Sequence, residues 1–200
     1  MLHILSLNTM DCTVQSHILT RGRATDQEHI KAYDLPSGRI CVGGGQSRSA
    51  VAVPDDLLGM LLDPKAELYI HHNHPDGCGF SRADLVLALG RENRARGKLF
   101  AQGHDGSVYG VMIANRDHID VLYRQAAHCA EHALKEAISG GGLPVSVARS
   151  HFAHIVSLAL DLVGVMHYEF AMSESRLDGW LHYADHLSKV VMTAAAAVGR

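Results

Sequence analysis

Short apolar, β-prone runs occupy the first part of the chain, and longer helical patterns the last part. Leu2 to Ser6 is expected to form a short strand, and residues 7–27 fit a helix or a strand equally well. Glu28 to Val42 reads strand, turn, strand, with turn chemistry in Asp34-Leu35-Pro36-Ser37-Gly38. Gly43-Gly44-Gly45 then interrupts the run and is expected to connect flexibly beside a cleft. Pro54 suits a first helical turn, so Asp55 to Leu62 reads as a short helix stopped by Asp63-Pro64. Ala66 to Ile70 is again a strand. Leu85 to Leu89 is the apolar face of a helix that starts at Ser81 and runs to Glu92 or Arg96, with Gly97 as its terminator. Lys98 to Gly103 and Ser107 to Ala114 form a second hairpin about His104-Asp105-Gly106. The order β-β-α-β-α-β-β indicates an α+β domain, with helices packed on a mixed sheet, over residues 1–116. In residues 117–200 the pattern is helical over 118–138, 144–170 and 174–198. The middle of these is apolar nearly all round, which implies heavy burial. This region is read as a packing, partner-binding or homodimer surface.

One stretch carries chemistry: His71-His72-Asn73-His74-Pro75-Asp76-Gly77-Cys78-Gly79-Phe80-Ser81-Arg82-Ala83-Asp84. In a strand, residues i and i+2 face the same side, so His72 and His74 present two imidazoles to one point. Pro75 ends regular pairing. Ser81 is a good N-cap, which puts Asp84 at N3, where a carboxylate sits in the helix's positive field and leans back toward the strand end. Two imidazoles and one carboxylate make a three-ligand Zn²⁺ set that leaves the fourth position to water, the pattern of catalytic sites.

These residues resemble the JAMM motif of the MPN/JAB metallopeptidases, His-x-His-Pro followed by Ser-x-x-Asp, and most closely the RadC-like and bacterial JAB branches. The stretch from Pro75 to Phe80 is one residue shorter than the family's usual spacing. The resemblance covers roughly residues 28–115. It implies an MPN/JAB-like, cytidine-deaminase-like fold, and a zinc hydrolase of peptide or isopeptide bonds with His72, His74 and Asp84 as ligands. It further implies an upstream Glu that takes a proton from the zinc-activated water. Of the two candidates, Glu67 is too near the motif and Glu28 opens a strand, so the role falls to Glu28. For Ser81 the resemblance adds help in holding the tetrahedral intermediate to its role as a cap. The alternative is a non-catalytic MPN- or RadC-like scaffold, which would tolerate loss of Glu28. The substrate partner would be a peptide, a protein or an isopeptide-linked chain.

Composition narrows this picture modestly. The chain has 200 residues, 47% hydrophobic and 20% charged, ordinary for a globular protein. A net charge of −3 offers no electrostatic footprint for nucleic acid. The cluster Arg91, Arg94, Arg96 and Lys98 reads as a solvated helix end. Cys12, Cys41, Cys78 and Cys129 are scattered without a C-x-x-C pair, which fits free thiols in a reducing, cytoplasmic setting. No stretch is apolar for long enough to span a membrane. His71 should point away from His72, into the core. Cys78 lies beside the motif and reads as a small loop residue. Among fifteen histidines, His151/His154 and His182/His186 have helical spacing and read as surface residues. A metal store built on these many histidines is a further, weaker reading.

Overall fold

The structure, a computed structural model, describes residues 5–45 and 47–199. Its sheet has six strands in the order β2-β1-β3-β4-β5-β6. In chain order these are β1 (His29–Asp34), β2 (Ile40–Gly44), β3 (Glu67–His74), β4 (Arg96–Gly103), β5 (Val108–Met112) and β6 (Tyr168–Ala171). Among the described residues only β3 and β4 pair in parallel, with Glu67 to His74 opposite Arg96 to Gly103, because a helix carries the chain across between them. The expected β-β-α-β-α-β-β order is present. The short helices are α2 (Asp55–Leu61) and α3 (Arg82–Leu89). The fold is α+β with a mixed sheet, as the pattern indicated.

Several elements differ from the sequence expectation. The expected strand at residues 2–6 lies mostly outside the described residues, and Leu5 and Ser6 are not in a strand. Residues 7–27 form helix α1 (Thr9–Thr25), started by a reciprocal capping box between Asn8 and Asp11. β2 runs on through Gly44 rather than breaking at Gly43. α3 stops at Leu89, so Gly97 terminates no helix. Gly97 lies in β4 at φ +119°, where a Cβ would overlap the Leu68 carbonyl. It marks a close backbone approach between β4 and β3, which only glycine permits.

The C-terminal region is not wholly helical. α4 (Ile119–Ser139) and α5 (Val145–Leu162) are followed by β6, which pairs antiparallel with β5 from Val111↔Tyr168 to Val108↔Ala171. α6 (Glu174–His182) and α7 (Ala184–Val198) follow as separate helices. One buried cluster joins the two parts of the chain: Ile70, Phe80, Leu99 and Tyr109 pack in the same core as Ile155, Leu160, Tyr168 and Leu187. On the other face of the sheet, α1 buries Val14 and Ile18 against Tyr33 and Tyr69. The sheet is thus covered on both faces, and β3 is buried without a break from Ile70 to His74. Among the described residues, no helix is long and apolar enough to cross a membrane.

Candidate metal centre and its cleft

β3 keeps its extended conformation through His74, so His72 and His74 share a face, with their Nε2 atoms 2.8 Å apart. Two imidazole lone pairs that close repel unless a proton or a cation lies between them. Asp84 arrives from the start of α3. Its Oδ2 accepts the Ser81 N–H at 2.7 Å, and Ser81 Oγ accepts the Asp84 N–H at 3.3 Å. This capping box fixes the carboxylate, with Oδ1 3.2 Å from His72 Nε2 and Oδ2 3.5 Å from His74 Nε2. Donor atoms held by one tetrahedral ion at normal zinc distances stand about 3.3 Å apart. The three side chains form a group that could bind a metal ion. His74 Nδ1 donates to the Cys78 carbonyl at 2.8 Å, which fixes the tautomer whose Nε2 lone pair faces the group. His72 Nδ1 is buried and has no such partner among the described residues.

The three groups set one another's protonation. Burial alone would raise Asp84, but the imidazoles of His72 and His74 hold it well below the usual carboxylate range. Burial alone would lower His74, but Asp84, then Glu28 and the Cys78 carbonyl, lift it to about 9. Glu28 sits just ahead of β1 with Oε1 3.9 Å from His74 Nε2. Burial pushes its carboxyl up to about 7, against the pull of His74. Asn73, between the two histidines, points to the opposite face and pins the entry to β1. Its Oδ1 accepts the His29 N–H at 2.8 Å, and its Nδ2 donates to the Gln27 carbonyl at 3.0 Å. One strand therefore presents the two imidazoles on one face and positions Glu28 from the other. His71 also lies on that other face, fully buried, with Nε2 3.0 Å from Asp11 Oδ1 and its ring stacked on Phe100, the core histidine expected.

The segment after His74 is clamped through three successive carbonyls. Arg176 of α6 donates to the Asp76 carbonyl at 2.6 Å, the Tyr109 hydroxyl to the Gly77 carbonyl at 3.3 Å, and His74 Nδ1 to the Cys78 carbonyl. Arg176 also donates to the Asp105 carboxylate and to the Ser150 carbonyl. Gly77 sits at φ +67° beneath Asp105, where a side chain would strike the carboxylate. The clamp holds the Cys78 carbonyl that orients His74. Cys78 is half-buried, its thiol raised by burial, and it is not part of the donor group.

A cleft of about 430 Å³ opens over this group. All five residues singled out from the sequence line it: Glu28, His72, His74, Ser81 and Asp84. Sequence reasoning missed Asn73, Asp105, Arg176 and Tyr123. Only Asn73 carried a signal, as the alternate position of a strand whose neighbours face the site. His182 and His186 are exposed, as expected. His151 and His154 are not surface residues: each is about 1% exposed. The apolar sequence around them on α5 already implied burial on every side.

No family model, curated protein or solved structure matches the chain.

Proposed function

We propose that the protein is a zinc-dependent hydrolase of peptide or isopeptide amide bonds, similar in its site to the JAMM metallopeptidases. The observation that carries this reading is the convergence of His72, His74 and Asp84 in one cleft, with Glu28 Oε1 3.9 Å from His74 Nε2. Two nitrogens and one carboxylate oxygen, with the remaining side open to a cleft, suit a catalytic zinc better than a closed structural site. When bound, zinc supplies a Lewis acid that polarises a carbonyl and lowers the pKa of water.

The residues of the chain do the rest. Glu28, half-protonated near neutral pH, accepts the proton of the water that adds to the amide carbon. It then delivers that proton to the nitrogen as the C–N bond breaks. Ser81 Oγ accepts the Asp84 N–H, which leaves its own proton to donate to the carbonyl oxygen as negative charge develops there. His74, oriented by the Cys78 carbonyl, keeps its Nε2 toward the metal position. Asp84 balances one unit of the cation's charge.

Elemental mass spectrometry of the purified protein, beside a His72→Ala/His74→Ala variant, tests the metal. About one zinc per chain, lost in the variant, is the expected result. Cleavage of a panel of peptides and isopeptide-linked substrates, with Glu28→Gln as control, then tests the reaction. Wild-type protein that folds without zinc and gains none on reconstitution would overturn the proposal.

A further inference from the structure

The cleft is not built by the motif and its neighbours alone. Tyr123 of α4 and Phe152 and Ala153 of α5, from the C-terminal region, line it as well, together with Leu87 of α3. Their placement beside the donor group follows from local geometry. Leu87 lies one helical turn beyond Asp84, on the same stripe of α3. Ala153 packs against the chain between His74 and Ser81: a Cβ on Gly79 would stand 3.7 Å from its methyl carbon. Tyr123 is buried, and the negative field of Asp84 reaches its hydroxyl. These four residues bring no charge to the cleft. The nearest cation that lines it, Arg48, is already paired with Asp26 and Asp76. A buried tyrosine in a cleft wall offers an apolar ring and a polar edge together.

We infer that Leu87, Tyr123 and Phe152 form a substrate subsite for one apolar side chain, aromatic or branched aliphatic, flanking the carbonyl held at the donor group, with the Tyr123 hydroxyl as its polar edge. The inference rests on the metal-dependent amide hydrolase reading. Size points to a side chain rather than a folded partner: the whole cleft is about 430 Å³, the scale of small-ligand sites. Charge points the same way. A lysine or carboxylate side chain placed here would lose its water and gain no counter-ion from Leu87, Tyr123 or Phe152. The helices whose role the sequence left open would then decide which residue the site accepts.

Hydroxamates with different tails test this without requiring turnover, because one chelating head is common to all and the differences report the tail. The full chain, reconstituted with zinc, is titrated calorimetrically with acetohydroxamate, 3-phenylpropanohydroxamate and 6-aminohexanohydroxamate. The phenylpropano compound is expected to bind about 10- to 100-fold more tightly than acetohydroxamate, the gain from burying one apolar side chain. The amino compound is expected to show no gain. In Phe152→Ala and Leu87→Ala the ratio between the phenylpropano and aceto compounds should fall toward one. If either variant does not fold, the wild-type series alone decides. Equal affinity for all tails on a zinc-loaded chain would overturn the subsite and leave the metal centre standing. A folded chain that neither holds zinc nor binds any hydroxamate would overturn the metal centre, and the subsite with it.

Discussion

Two pairs of buried histidines sit in this molecule and behave in opposite ways. His72 and His74 face Asp84 and Glu28, and His74 is lifted to about 9. His151 and His154 lie among Trp180, Phe170 and Tyr168, and no carboxylate pairs with either among the described residues. Burial, then the charge of Arg176, lowers His151 to about 4; burial, then His151 and Arg176, lowers His154 to about 3. Residue type and burial are shared, so the difference lies in what the rings face. An acid three to four ångströms away turns a buried imidazole into a site for a proton or a cation. An aromatic cage keeps it neutral.

The comparison can be broken most severely by removing the acid from the first pair. Asp84→Asn should end stoichiometric metal binding, with affinity falling by more than the roughly 100-fold that loss of an outer hydrogen bond costs. It should also drop the His74 titration from near 9, followed by NMR of the ring protons of metal-free protein. A His74 that still titrates near 9 would show that Asp84 is not what sets the pair apart. Glu28→Gln should keep the metal and slow the proposed hydrolysis by about 10²- to 10⁴-fold, measured by single-turnover cleavage. In the wild type that rate should rise with pH as Glu28 loses its proton, at about 7 or below once a cation lies beside it. Arg176→Gln frees the Asp76 carbonyl and loosens the segment that orients His74, so metal affinity should fall by about 10- to 100-fold in a chelator competition.

The remaining effect concerns stability, and there the pairs pull in opposite directions. His151 and His154 bind protons more weakly folded than unfolded. They contribute fully above pH 6.5, and that contribution is lost as pH falls toward 4 and 3. Each should cost about 1.4 kcal/mol per pH unit across its window. His74 in metal-free protein binds its proton more tightly when folded. Its contribution is complete below 6.5 and lost as pH rises through about 9. Urea midpoints from pH 4 to 10 should therefore fall at both ends. His154→Gln should flatten the acid limb and leave the alkaline one unchanged.

The donor group was legible because each of its members follows a local rule. Period two in a strand brings His72 and His74 together, and a capping box at a helix start delivers Asp84. Residues that meet only through the tertiary fold were not legible. Arg176 reaches Asp105 across 71 positions and Asp76 across 100, and nothing in either sequence neighbourhood announces the pairing. Tyr168 to Ala171 is four residues long and follows a helix, so its strand pattern is too brief to separate from the helical one before it. His151 and His154 show the converse failure. The apolar sequence around them on α5 places them inside, whereas helical spacing and polarity alone point to the surface.

Arg176 has a consequence for the order in which the protein is made. A chain emerging from the ribosome exposes His72, His74 and Asp84 about a hundred residues before it exposes the arginine that steadies the segment beyond them. It also presents β5 as a bare edge until β6 arrives to cover it. The candidate metal pocket therefore matures late, when the nascent chain has passed α6. A ribosome-bound intermediate stalled before Arg176 would hold a metal loosely, and release it readily, until the last third of the protein is in place.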